Sequence, residues 1–306
     1  MMFTKRFLFG FIAVALMILW TYQPVGAQEK AAGRHLRVLC SFLPICLFTQ
    51  NVIQGRPNIE LEMLVPADRG DPHDFVLSPR DVQRIARAEL FIVNGLGLEE
   101  FLGVPVKKAN PRVVVVDTST GVTPIKSGGE HPGEPNPHLF ASPREAIVQV
   151  RNIEKALSLA DPGGAATYKR NATNYAARLE RLRDEFLAAS RLFRNRKIVT
   201  MHRVFDYLTR DIGLELVGVV RENPEQEPSA GEVLKLVKRM KSTGVAAVFT
   251  EPQYPSPMAQ TVAREAHVPI YVLDPVSTGP QKPPLDYYET VMRQNLKTLK
   301  QALGGD

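Results

Sequence analysis

The sequence predicts an α/β protein of two similar lobes, each built on a parallel sheet, joined by one long backbone helix. Eight short apolar runs rich in Val and Ile alternate with segments of helical period. Continuous runs of this kind suit strands covered on both faces, as parallel strands are. Four of the runs precede, and four follow, one long amphipathic segment at residues 165–190. Strand and helix alternating on both sides of a single connector imply α/β architecture twice over.

The chain opens with Lys5 and Arg6, an apolar run over residues 7–20, and then Val25-Gly26-Ala27. This is the pattern of a secretory leader, residues 1–27, cleaved after Ala27. The run is shorter than the ~20 apolar residues needed to span a bilayer. No Cys follows the expected cut, so the mature protein is expected to be exported to the periplasm and not lipidated.

An N-terminal lobe is expected over residues 28–161, with strands "LRVLC" (36–40), "IELEMLV" (59–65), "ELFIVNG" (89–95) and "RVVVVDT" (112–118). Two of its helices announce their starts. Ser78-Pro79-Arg80-Asp81 and Ser142-Pro143-Arg144-Glu145 each offer a Ser N-cap, Pro at the first helical position and an acid at the third. A connecting helix is expected within residues 162–192. There Tyr168, Ala172, Tyr175, Leu179, Leu182 and Phe186 recur at spacings of 4, 3, 4, 3 and 4, one apolar stripe on a helix roughly 40 Å long. The stripe also suits a long surface helix of a single domain.

The C-terminal lobe, residues 193–306, is expected to carry "KIVTMH" (197–202), "LELVGVV" (214–220), "VAAVFTE" (245–251) and "PIYVLDP" (269–275). Ser229 with Glu232, and Ser256-Pro257, repeat the helix-start chemistry.

Charge excludes one class of partner. The formal net charge is +6, falling to +4 once Lys5 and Arg6 leave with the leader, and it is spread without long runs. Nothing in that pattern is a nucleic-acid footprint. Two cysteines, Cys40 and Cys46, are too few for a disulfide scaffold. They read as two small buried hydrophobes, as one disulfide, which an exported compartment permits, or as a redox-sensitive or soft-metal pair.

The chain has six histidines. Two stand in near copies of one phrase, "DPHDFVLSPRD" (71–81) and "NPHLFASPRE" (136–145). Ligands of open α/β sheets bind beyond the carboxyl ends of strands. His73 follows the strand at 59–65, His138 follows the strand at 112–118, and His202 ends the strand at 197–202. Asp274 ends the strand at 269–275, and Glu251, ending the strand at 245–251, is its rival. Three neutral imidazoles with one carboxylate suit a divalent transition metal held in the cleft between the lobes. A single loop histidine is more often a surface group than a ligand. Here a Pro before each of His73 and His138, and a capped helix soon after, would fix one ligand per loop. His131, in the polar loop "KSGGEHPGEPNPH", is an auxiliary group or simply exposed; His35 and His267 sit at strand entrances and read as structural.

The ordered set "LVPADRGDPHDFVLSPRDVQRIARAELFIVNGLGLEEFL", "NPHLFASPREAIVQVRNIEKAL", a long helix, "MHRVFDYLTRDIGLELVGV", "EPSAGEVLKLVKRMKSTGVAAVFTEPQ" and "VLDP" resembles the metal-binding periplasmic solute-binding proteins of ABC importers, the zinc and manganese type (ZnuA/TroA-like). The resemblance spans nearly all of the mature chain. It implies a single metal held between two lobes by His73, His138, His202 and Asp274, which ranks Asp274 above Glu251. It also implies delivery to a membrane permease by a protein that works as a monomer. Manganese-type members commonly have Glu where His202 stands, so the third imidazole shifts the expectation to Zn²⁺, with Mn²⁺ or Fe²⁺ as alternatives. Many zinc-type members carry a loop rich in His and acids between the first two ligands; this chain has only His131 there.

Two other classes are set against this one. A metal-dependent hydrolase needs an open coordination position. No His-Glu-x-x-His helix, nucleophile elbow or phosphate loop is present, and "NGLGLEE" lacks the third glycine of a dinucleotide loop. No enzyme activity is expected. A surface adhesin, a role assigned to some relatives, would want a lipid-attachment Cys or a wall anchor.

Overall fold

The computed structural model describes residues 35–69, 75–126, 133–222, 227–253 and 257–304. The expected leader, His73 and His131 lie outside the described residues.

Among the described residues, eight parallel strands form two sheets of four. The first holds β1 (Leu36–Cys40), β2 (Ile59–Met63), β3 (Leu90–Val93) and β4 (Val114–Asp117) in the order β2-β1-β3-β4. The second holds β5 (Lys197–Thr200), β6 (Glu215–Val219), β7 (Ala247–Thr250) and β8 (Ile270–Val272) in the order β6-β5-β7-β8. The two orders are the same, so each sheet has one switch point, at the carboxyl ends of its two central strands. All eight predicted runs are strands, each at or inside its expected bounds.

The helices are α1 (Leu43–Val52), α2 (Pro79–Arg87), α3 (Gly103–Ala109), α4 (Pro143–Ala160), α5 (Ala165–Ser190), α6 (Asp206–Ile212), α7 (Ala230–Thr243), α8 (Pro257–Ala266) and α9 (Tyr287–Leu303). Ser78 and Ser229 cap α2 and α7 through reciprocal boxes with Asp81 and Glu232. Ser142 accepts from the Glu145 amide at the start of α4, but the Glu145 carboxylate turns away to Arg210. That box is left half-made because Glu145 gains a cationic partner on α6.

The six stripe residues of α5 are all buried. They join one apolar core that includes Leu36, Val38 and Leu90 of the first sheet together with Ile198, Ala247 and Phe249 of the second. The connector is therefore packed into the shared core of both lobes. Smaller cores cover the far face of each sheet, one around Leu39 and Phe91, the other around Val199 and Val248.

Polar ties cross the lobes as well. The Arg178 guanidinium on α5 pairs with Glu289 on α9 at 2.8 Å and hydrogen-bonds Asn51 on α1. Asn51 donates in turn to the Leu285 carbonyl at 2.9 Å. Tyr288 donates to the Phe140 carbonyl at 2.8 Å, and its ring meets Phe48 edge-on at 5.2 Å between centroids. Cys40 and Cys46 are joined as a disulfide between β1 and α1, with Cα atoms 5.4 Å apart.

One buried acid in the first lobe titrates far from its usual range. Burial pushes the Glu99 carboxyl up to about 7, against the hydrogen bonds it accepts from the Asn94 and Gly95 amides. The folded state thus holds this proton more tightly than the unfolded chain does. Glu99's contribution is most favourable below the unfolded value near 4.5 and is lost as pH rises toward 7. Urea unfolding at pH 4.5 and pH 8 should show wild type losing on the order of 2–3 kcal/mol from this group. Glu99→Gln should shed that part of the slope; an unchanged slope in the variant would assign the pH dependence elsewhere.

Candidate metal centre

In the second sheet β5 lies between β6 and β7, so the ends of β5 and β7 open the crevice where α/β sheets bind ligands. His202 stands two residues beyond β5 and Glu251 immediately follows β7. Both are buried, and His202 Nδ1 lies 2.7 Å from Glu251 Oε1. Gln253 donates to the other carboxylate oxygen at 2.9 Å. Thr200 donates to the His202 carbonyl at 2.7 Å and holds the turn. Glu251 thus sits against the Nδ1 edge of the His202 ring.

In the first sheet the crevice is bounded by Ser41 after β1 and Asn94 after β3. The chain from β4 returns to it through Asn136 and Pro137. Asn94 donates to the Pro137 carbonyl at 2.7 Å, while Gln149 on α4 donates to the Asn94 side-chain oxygen at 3.0 Å and to Thr118 at 2.9 Å. His138 follows, buried, with its backbone amide and its Nδ1 each 2.9 Å from Asn136 Oδ1. The rings of His138 and His202, one from each lobe, meet with centroids 5.2 Å apart.

Asp274 stands two residues beyond β8. Asn295 on α9 brackets its backbone, accepting from the Asp274 amide at 2.9 Å and donating to its carbonyl at 2.7 Å. The Asp274 carboxylate accepts from the Val276 amide at 2.7 Å. Burial raises its pKa, the Val276 amide opposes the shift, and the nearby Glu251 charge adds to it. Val276 is fully buried at φ +67°, a left-handed conformation that is an outlier for a β-branched side chain. The cost, roughly 1–2 kcal/mol, is concentrated where the chain turns from Asp274 toward the first lobe. There the Gly279 amide reaches the Ala67 carbonyl at 2.9 Å.

The structure therefore brings His138 and His202 together, with Glu251 on His202 and Asp274 electrostatically coupled to Glu251. Among the described residues no three His, Cys, Asp or Glu side chains stand close enough to hold a metal. His35 is exposed and 3.9 Å from Glu60, and His267 follows α8 with a positive φ, both away from the crevices. Sequence reasoning did not name Asn94, Asn136, Gln149, Gln253, Val276 or Asn295. Only Asn136 left a signal, since it stands two residues before His138 as Asp71 does before His73.

Two parallel-sheet lobes sharing a core along one long helix, with imidazoles meeting from opposite sides, define a two-lobe binding protein. Residues 38–302 match the model of the family described as "Zinc-uptake complex component A periplasmic", and the chain belongs to that ZnuA family. It is 28% identical over 309 residues to the zinc-binding protein AdcA of Streptococcus pyogenes, covering 93% of this chain and 59% of AdcA. The chain thus spans about three-fifths of the length of that relative. It is 28% identical to the high-affinity zinc uptake system protein ZnuA of Bacillus subtilis, covering 90% of each. Among solved structures, the Ni²⁺ complex of the solute-binding protein FpvC from Pseudomonas aeruginosa superposes with a TM-score of 0.79 at 29% identity, covering 89% of this chain and 97% of FpvC.

Proposed function

We propose that this chain captures a divalent transition metal outside the cytoplasm, Zn²⁺ first, and delivers it to the membrane permease of an ABC importer. The observation that carries this reading is the buried His138–His202 pair, one ring from each lobe, with Asn136 Oδ1 at His138 Nδ1 and the Glu251 carboxylate 2.7 Å from His202 Nδ1. A neutral ring holding its proton on Nδ1 keeps its lone pair on Nε2, the form in which imidazole ligates metal. His73 and Asp274 complete the set of four. Glu251 serves as the carboxylate behind His202, in the ligand–imidazole–carboxylate arrangement common at metal sites. The names of the AdcA and ZnuA relatives support zinc as the cargo.

The working protein is a monomer, exported by the leader at residues 1–27 and not lipidated. Its lobes are residues 28–161 and 193–306, with residues 162–192 as the connector. It binds no nucleic acid and turns over no substrate. Mass spectrometry of the mature, untagged protein should find one zinc per chain, lost in His138→Ala. No metal in wild type, and none taken up on titration at neutral pH, would leave His138 and His202 as structural residues.

A further inference from the structure

We propose that Asn136 is the positioning residue of the histidine pair: its side-chain oxygen holds His138 with the proton on Nδ1, and its side-chain nitrogen ties that loop to the turn carrying His202. The inference rests on the capture reading above and adds to it a residue that is not a ligand.

The tautomer follows from groups whose roles are not in doubt. Asn136 is buried, 1% exposed. One end of its amide lies 2.9 Å from the His138 backbone N–H, which can only donate, so that end is the oxygen. The other end lies 2.8 Å from the Arg203 carbonyl, which can only accept, so that end is the nitrogen. The oxygen is also 2.9 Å from His138 Nδ1, and an amide oxygen accepts only. Nδ1 therefore donates, and Nε2 carries the lone pair.

The same amide spans the lobes. Arg203 follows His202 directly, and the Asn136 nitrogen lies 3.2 Å from Asp206 at the start of α6. The Asn136 backbone carbonyl accepts from Tyr207 of α6 at 2.7 Å, and its amide donates to the Ile125 carbonyl at 2.7 Å. Tyr207 accepts in turn from the Ile125 amide at 3.1 Å. Further along, Ser142 donates to Asp211 of α6 at 2.6 Å. The His138 loop is thus braced against α6, the helix that follows His202. These ties, all made by the chain's own residues, fix the position of the His138 loop relative to the turn that carries His202.

The test reads the tautomer directly, by ¹⁵N shifts of the His138 ring in metal-free protein at a pH where imidazole is neutral, beside zinc affinity. Wild type is expected to show Nδ1–H. Asn136→Ala is expected to lose that preference and to bind zinc about 10- to 100-fold more weakly, the range for loss of such a partner. Asn136→Asp keeps an acceptor for both His138 protons and is expected to retain Nδ1–H while losing the tie to Arg203, seen as a lower melting temperature. An Nε2–H ring in wild type overturns the proposal even if the alanine variant does not fold. So does an Asn136→Ala protein with unchanged tautomer and affinity within twofold of wild type. The capture reading fails separately, if His138→Ala binds zinc as wild type does.

Discussion

His202→Ala is expected to weaken zinc binding by about two to three orders of magnitude. Structural zinc sites with four ligands are worth ~10–16 kcal/mol, so one ligand carries on average about 2.5–4 kcal/mol. At about 1.4 kcal/mol per factor of ten, that is the stated loss. The variant carries a second cost that a surface ligand would not. Glu251 is buried with its Oε1 2.7 Å from the lost ring nitrogen. Leaving that carboxylate without the ring is expected to cost the metal-free protein on the order of 1–3 kcal/mol. Calorimetric titration with zinc and urea unfolding of the metal-free variant measure the two effects apart. A variant that binds zinc as wild type does would remove His202 from the ligand set. A variant that loses zinc but keeps full metal-free stability would instead show that Glu251 does not depend on the ring.

Leu179→Ala should lower the stability of the whole molecule by about 2–5 kcal/mol, the range for removing a buried Leu and leaving a cavity. Leu179 is fully buried in the middle of α5, within the core that both sheets share. The loss is therefore expected in one transition, with tryptophan-independent probes in each lobe moving together and the denaturant slope unchanged. Two separated transitions would mean that the lobes fold as independent units and that the shared core does little to couple them. Below the new midpoint, zinc affinity should stay close to wild type, because Leu179 lies on the connector and not at either crevice. The two variants thus separate the scaffold from the site: one loses stability and keeps the metal, the other loses the metal first.

Much of the fold was legible because local chemistry and global pattern agree. The Val-rich run "VVVV" at 113–116 reads as a strand covered on both faces; β4 forms there, but at the sheet edge with Val114 and Val115 about half exposed, because composition does not tell an edge strand from a central one. Ser78-Pro79-Arg80-Asp81 states a helix start in four residues, and α2 begins at Pro79 with its capping box made. Strand ends were read slightly long, as at His202 and Asp274, each two residues past the last paired position. Apolar composition continues into the loop while ladder hydrogen bonds stop, and composition alone does not mark that stop.

The sequence by itself determined the strand and helix order, the long connector, and the placing of His138, His202, Glu251 and Asp274 beyond strand ends. All of these follow from periodicity and from cap and turn chemistry, which act over a few residues. Which partner each ring takes was decided only in the tertiary structure. Glu251 lies 49 positions from His202 in the chain, and Arg203 lies 67 from Asn136. The first contact exists because β5 and β7 end side by side at one switch point, and the second because the switch points of the two sheets face each other across one core. The unfavourable backbone of Val276 belongs with them, since no local preference would choose it; it persists because packing from α9 and the first lobe over-determines that turn.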